Sequence, residues 1–209
     1  MPVRSIIIPC HNEALRLEPG KFSAFLQQRT GIHLLFVNDG STDNTQAILE
    51  QIRHENREQV TLLSLTSRSG KGEAVRRGMM ESLTLFPSAS VSGYMDADLS
   101  VSLEEIDRLF ELFHTANKRF ILGSRVKKIG ARITRNEWRH FYSRIIATIV
   151  GSIIRLDVYD TQCSAKLFRQ DTIETAFSKP FRTKWLFDVE IICRLYNAYG
   201  PLNDNGLEE

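Results

Sequence analysis

Two hydrophobic patterns alternate along the first 120 residues. Short, nearly continuous apolar runs occupy Arg4–Cys10 (RSIIIPC), Ile32–Asn38 (IHLLFVN), Val60–Leu65, Val91–Met95 and Arg119–Gly123. Between them, Glu18–Arg29, Thr45–Glu58, Lys71–Phe86 and Leu103–Asn117 repeat their apolar residues at helical spacing, most weakly in the first. The short runs predict buried strands and the periodic stretches predict amphipathic helices. Pro9 is expected to stop the first strand, and Asp43 or Ser41 to cap the helix opening at Thr45. Regular alternation of strand and helix predicts a parallel sheet wrapped by helices. No repeat, low-complexity tract or Pro/Gly/Ser-rich linker divides the chain, which reads as a single domain over residues 1–200.

The polar residues cluster where the predicted strands end. The first run leads into Pro9-Cys10-His11-Asn12-Glu13, the second into Asn38-Asp39-Gly40-Ser41, and the fourth into Asp96-Ala97-Asp98. In parallel α/β sheets ligands bind beyond the carboxyl ends of the strands, near the point where strand order reverses. Three strands therefore deliver acids to one rim. The stretch Val91–Ser102 (VSGYMDADLSVS) is the centre of this arrangement. Its two aspartates suit a divalent cation or a ribose lying between them, and a solvated loop bearing two acids is the plain alternative. A dinucleotide fingerprint is excluded, because no glycine stands between Met1 and Gly20. Ser69-Gly70-Lys71-Gly72 matches only half of a phosphate loop, since position 65 is Leu and position 72 is Gly. Without a phosphate loop, a metal held by Asp96 and Asp98 is the remaining way to grip a diphosphate in such a sheet.

Composition is that of an ordinary globular protein, with 42% hydrophobic and 25% charged residues among 209. The distribution of charge is more informative. Lys118–Arg169 carries twelve Lys/Arg against three acids, a local +9 in a chain whose total is +2. Such a block predicts an anionic partner, and phosphate, anionic lipid headgroup and nucleic acid all fit it. Cys10, Cys163 and Cys193 are odd in number and widely spaced, which points away from disulfides or a zinc site and towards a reducing compartment. The apolar run Ile6–Ile8 is too short for a signal-peptide core, and no stretch approaches the roughly 20 apolar residues of a membrane span. Within 136–155, Trp138, Phe141, Tyr142, Ile145, Ile146, Ile149, Val150, Ile153 and Ile154 form one stripe, with Arg139 and Arg155 off it. This amphipathic helix either packs on the core or lies in a membrane interface.

Four motifs in register carry a resemblance. Ile7–Glu13 (IIPCHNE), Val37–Thr45 (VNDGSTDNT), Gly70–Gly78 (GKGEAVRRG) and Tyr94–Ser100 (YMDADLS) together resemble the inverting family 2 glycosyltransferases. Gly123–Arg125, Asp160–Phe168 (DTQCSAKLF) and Lys184–Glu190 (KWLFDVE) are similar to the polyprenyl-phosphate branch, and within it to the dolichyl-phosphate glucosyltransferase type. The resemblance implies a GT-A (Rossmann-like) three-layer α/β fold, with a mainly parallel central sheet and helices on both faces. It implies a nucleotide-binding half over 1–117 and an acceptor half over 118–200. Its chemistry would be transfer of a hexose, glucose in that branch, from a uridine nucleotide sugar to a polyprenyl or dolichyl phosphate, with Mg²⁺ or Mn²⁺.

The resemblance also assigns residues. Pro9, Asn12, Glu13, Asp39, Lys71, Asp96 and Ala97 would line the nucleotide-sugar site, with Asp96 and Asp98 at the metal. Ser100 stands where mannosyl-type relatives often carry a metal-binding glutamine. Arg125, Arg135, Arg139, Gln162 and Lys166 would meet the acceptor phosphate, and Asp98, Arg125 and Asp188 would be catalytic. Asp188 sits where hydroxyl-glycosylating relatives place a base, and it alternatively orients an arginine or binds a sugar hydroxyl. Expected partners are a nucleotide sugar and a lipid phosphate rather than nucleic acid, with peripheral attachment at the cytoplasmic face of a membrane and room for a homo-oligomer. A family 2 enzyme acting on a hydroxyl acceptor, another metal-dependent phosphate enzyme and a non-catalytic nucleotide-binding module are the competing readings. Residues 201–209 are expected to be non-structural.

Overall fold

A computed structural model of the chain describes residues 3–116, 118–123, 163–184, 186–200 and 207–208. The expected amphipathic helix 136–155 and the candidates Arg125, Arg135, Arg139 and Gln162 lie outside these residues. The strands are β1 (Val3–Cys10), β2 (Ile32–Asp39), β3 (Val60–Leu65), β4 (Ala89–Tyr94), β5 (Phe120–Leu122), β6 (Lys166–Arg169) and β7 (Leu207–Glu208). The helices are α1 (Pro19–Gln27), α2 (Thr45–Glu55), α3 (Lys71–Leu85), α4 (Leu103–Ala116), α5 (Gln170–Phe177) and α6 (Phe187–Tyr199).

The strands form one sheet in the order β3-β2-β1-β4-β6-β5-β7. Alternate strand residues are buried on opposite faces, which explains why the runs read as continuously apolar. Ile6, Ile8, Leu34 and Phe36 pack with Phe22 of α1, Leu49 and Ile52 of α2, and Ile106 and Phe110 of α4. Ile7, Leu35 and Val37 pack on the other face with Val75 and Met79 of α3, Phe177 of α5, and Ile191 and Leu195 of α6. The result is the expected three-layer α/β architecture.

Three details depart from the sequence expectations. β1 is not stopped by Pro9, which pairs in register with Val37 of β2. Ile7 accepts a hydrogen bond from Met95 on the β4 side. Pro9, two residues on, turns its donorless nitrogen to that same side, beyond the last β1–β4 pair at Ile7 and Tyr94, so no ladder bond is lost. The tail 201–209 contributes β7, whose Leu207 and Glu208 pair with Phe120 and Ile121 and cover the open edge of β5. Finally, β6 runs antiparallel between β4 and β5. A strand from residues beyond 118 is thus inserted beside β4, so both halves of the chain contribute to one sheet.

Strand order reverses between β1 and β4: β2 and β3 lie to one side of β1, and β4 to the other. The carboxyl ends of β1 and β4 consequently flank a switch point, and the residues beyond them are Cys10–Glu13 and Met95–Asp98.

Candidate active site

The loop after β1 is stitched to the loop after β2. The backbone N–H of Asn12 donates to Ser41 Oγ (3.1 Å), that of Glu13 to Thr45 Oγ1 (2.8 Å) and that of Ala14 to Asp43 Oδ2 (3.2 Å). In return the Thr42 N–H donates to Asn12 Oδ1 (2.9 Å), and His11 Nδ1–H donates to the Asp39 carbonyl (2.9 Å). The hydroxyls and acids of VNDGSTDNT thus serve first as ties between two loops. Asn44 occupies the N-cap of α2 and makes no side-chain cap bond. Asp43 instead accepts from the Thr45 N–H (2.9 Å) while holding Ala14. These contacts hold the Asp43 carboxyl below the usual range, the Thr45 side-chain bond contributing most.

Asp39, expected to line the base and ribose pocket, is buried, and its carboxylate accepts from Ser69 N–H (2.6 Å), Ser69 O–H (2.6 Å) and Gly70 N–H (2.7 Å). Most of its acceptor capacity is thereby committed to the turn that precedes α3. Gly40 permits this approach: its φ is +61°, and a Cβ there would lie 2.6 Å from the Arg68 nitrogen. Asp39 sets the height of Lys71, the first residue of α3.

Lys71 Nζ lies 2.5 Å from Asp96 Oδ1. Asp98 accepts from the Ser100 N–H (3.0 Å), and its other oxygen is 4.0 Å from Arg16 Nη1. Glu13 pairs with Arg16 through Oε1 (2.6 Å), whereas its buried Oε2 has no hydrogen-bond partner among the described residues. Burial raises the Glu13 pKa most, Arg16 opposes the rise, and Asp98 and Asp96 add to it. Three acids from two strand ends thus crowd one rim with one carboxylate oxygen orphaned. Backbone strain collects here as well: Asn12 (φ 54°) and Leu99 (φ 52°) adopt left-handed conformations, tolerable for Asn but costly for Leu. Pro9 and Ala97 belong to the same two strand ends, Ala97 buried against the α1/α2/α4 face.

No cluster of three metal-ligating side chains occurs among the described residues. A magnesium-type ion needs only one or two protein carboxylates when a diphosphate supplies further oxygens. Asp98 and Asp96 fit that requirement, with the orphaned Glu13 oxygen marking surplus negative charge beside them. Lys71 is the cation paired with Asp96 in this structure.

Asp188, in the first turn of α6, lies at the same rim. Its Oδ1 accepts from Tyr94 O–H (2.5 Å) and Lys166 Nζ (2.7 Å). Lys166 was expected on an acceptor phosphate. Its side chain is 0% exposed, and its ammonium also donates to the Cys163 carbonyl (2.5 Å). Lys166 is therefore turned inward, because β6 pairs with β4 and places Lys166 directly opposite Tyr94. Sequence reasoning did not find the Tyr94–Asp188 contact. The signal available was a tyrosine ending an otherwise small-residue strand just before the Asp pair.

The sequence model of the family described as Glycosyl transferase family 2 matches residues 5–186. Dolichyl-phosphate beta-glucosyltransferase of Saccharomyces cerevisiae is 30% identical over 208 residues, covering 90% of this chain and 61% of that protein. The protein of the same description from Dictyostelium discoideum is 27% identical, covering 90% and 60%. Polyprenol monophosphomannose synthase of Mycolicibacterium smegmatis is 27% identical, covering 92% and 71%. The chain spans about three fifths of the length of the glucosyltransferases it matches. Among solved structures, glucosyl-3-phosphoglycerate synthase from Mycobacterium tuberculosis, in complex with Mn²⁺, UDP and glucosyl-3-phosphoglycerate, superposes with a TM-score of 0.70 at 15% identity. That match covers 99% of this chain and 69% of that one, and it speaks for the fold.

Proposed function

Since the chain belongs to glycosyl transferase family 2, we propose that it transfers glucose from a uridine nucleotide sugar to a polyprenyl or dolichyl phosphate. The observation that carries this reading is the meeting of Glu13, Asp96 and Asp98 at the β1/β4 switch point, with Lys71 held beside them by Asp39. Asp98 and Asp96 would hold a divalent cation, which neutralises the diphosphate leaving group as the anomeric bond breaks. Glu13 would accept hydrogen bonds from ribose hydroxyls, and Lys71 would offer a second positive charge to the diphosphate on leaving Asp96.

A phosphate monoester acceptor has a second pKa near 6 and is already a nucleophile at neutral pH. It requires cations that orient it, which matches the basic block at 118–169. Arg125, Arg135, Arg139 and Gln162 are the residues assigned to it, and Lys166 is not among them. The enzyme would work at the cytoplasmic face of a membrane as a peripheral protein. Among the described residues no helix is long and apolar enough to cross one.

Thermal unfolding with UDP, UDP-glucose and GDP-mannose, each with and without Mn²⁺, tests the donor side. At ligand a hundredfold above Kd, mass action adds about 2.7 kcal/mol, a rise of about 5–10 °C for a domain of this size. The rise is expected with UDP-glucose and Mn²⁺, and its metal-dependent part is expected to vanish in Asp98→Asn. Formation of lipid-linked glucose from UDP-glucose and dolichyl phosphate tests the acceptor. Metal-independent binding would refute the role of the Asp pair, and binding without lipid-linked product would refute the transferase reading.

A further inference from the structure

Asp188 is held in an unusual way for an acid at the rim of a cleft. The two donors that reach it among the described residues, Tyr94 O–H and Lys166 Nζ, converge on the single oxygen Oδ1. They approach from two different strands, the end of β4 and the start of β6, where Tyr94 and Lys166 are register partners. Lys166 is fully buried, with its ammonium 5.4 Å above the Tyr94 ring and a further bond to the Cys163 carbonyl. Tyr94 is itself buried, in contact with the Phe168 and Phe187 rings. Burial, reinforced by the neighbouring Asp188, pushes the Tyr94 hydroxyl well above its usual pKa, so it remains a proton donor.

The other carboxylate oxygen, Oδ2, accepts no hydrogen bond among the described residues and is not a sealed orphan. The Asp188 side chain retains 14% exposure. A helix register also fixes its position, since a Cβ on Gly72 of α3 would lie 3.0 Å from the Phe187 ring. The start of α6 is thereby seated against the start of α3, one residue from Lys71. A buried lysine normally carries a large desolvation penalty, which stays tolerable only when its proton donors are matched as they are here. Such an expensive arrangement does little for packing that a methionine would not do. What it does uniquely is fix the orientation of one carboxylate through Oδ1 and leave Oδ2 without a hydrogen bond among the described residues.

We propose that Lys166 and Tyr94 are positioning residues that clamp Asp188 by Oδ1, so that Oδ2 accepts a hydrogen bond from a hydroxyl of the transferred sugar. The proposal rests on the nucleotide-sugar reading above and adds to it the residue that reads the sugar. It places donor-sugar recognition on the α6 side of the rim and nucleotide recognition on the β1/β2 loops, with Lys71 and Asp96 between them.

The test compares binding of UDP and UDP-glucose, both with Mn²⁺, by titration calorimetry in wild type, Asp188→Ala, Lys166→Met and Tyr94→Phe. Wild type is expected to bind both. Asp188→Ala and Lys166→Met are expected to weaken UDP-glucose about tenfold relative to UDP, and Tyr94→Phe about threefold, as a charge-assisted hydrogen bond is lost or misdirected. UDP affinity itself is expected to stay within twofold. Tyr94→Phe retains the ring packing, so it carries the test if Lys166→Met unfolds. An unchanged UDP-glucose to UDP ratio in Asp188→Ala and Tyr94→Phe overturns the proposal, even if both variants melt lower, because that is the result of a purely structural clamp. Failure of wild type to bind UDP at all removes the donor reading itself, and this inference with it.

Discussion

Glu13 shows how a single residue records the function of its surroundings. Its Oε1 meets Arg16, its Oε2 is buried without a partner, and burial together with Asp98 and Asp96 raises its pKa. Because the folded-state pKa lies above the unfolded one, the stabilising contribution of this group is complete below the ordinary glutamate pKa of about 4.3. It is lost as pH rises through the folded value. At neutral pH the ionised side chain therefore opposes folding of the unliganded protein. Glu13→Gln is expected to melt higher than wild type at pH 7, and the difference is expected to shrink towards zero as the pH is lowered to about 4. Melting curves across that range decide it: a difference independent of pH would assign the effect to something other than ionisation. The same substitution should weaken UDP binding, since an amide in place of the carboxylate is a poorer acceptor for ribose hydroxyls. A gain in stability coupled to a loss of binding is the mark of a residue kept for its ligand.

Among the elements, α3 is the one most tightly fixed by small residues. A Cβ on Gly78 would sit 2.5 Å from Ile7 Cγ2 and 2.8 Å from Val37 Cγ2, so the helix lies directly on the β1–β2 pair. Helix propensity alone favours Gly78→Ala by about 1 kcal/mol. Overpacking against two branched side chains costs about 1–3 kcal/mol, and the net expectation is a loss of up to about 2 kcal/mol. A urea titration would show this as a lower midpoint with an unchanged slope, whereas a higher midpoint would mean that α3 can lift off the sheet. The glycine was readable in the sequence as a place of close approach, and β3, α3 and α4 were readable within a residue or two of their observed ends. By contrast β6, only four residues long, and α5, which begins directly after it, were not. Local periodicity cannot identify a four-residue strand whose reason for being a strand is its antiparallel partner, with Gly93 of β4 packed against the Lys166 carbonyl and Leu167. Missing β6 meant missing that Lys166 points inward. In the same way, the motifs located the rim, but the hydrogen-bonding of Asp39 and Asp43 to backbone depended on loops meeting across about 30 positions of sequence.

At the scale of the whole molecule, the acids and the bases are separated along the chain, and on the proposed function they would serve the two sides of one reaction. The rim built by β1, β2 and β4 is acidic, while 118–169 carries the local +9. On the proposed function a nucleotide sugar would arrive from solution with a cation while a polyprenyl phosphate stays in its bilayer, and the basic segment would then have to meet the membrane surface. Within it, the stripe from Trp138 to Ile154 has the composition of an interfacial helix: aromatics at one end, isoleucines along the face, and arginines flanking it. Attachment by one such helix plus basic charge is expected to depend on both apolar contact and anionic lipid. Co-sedimentation with vesicles containing phosphatidylserine should therefore exceed that with neutral vesicles, and it should fall as salt is raised. The double substitution Ile146→Glu/Ile149→Glu is expected to abolish it by placing two charges in the apolar stripe of the sequence. The UDP-induced thermal shift, which reads the β1/β4 rim, should survive in that variant and certify its fold. Equal sedimentation of wild type and variant would put the stripe against the protein core instead, and the basic block alone would then have to bring the acceptor phosphate to the acidic rim.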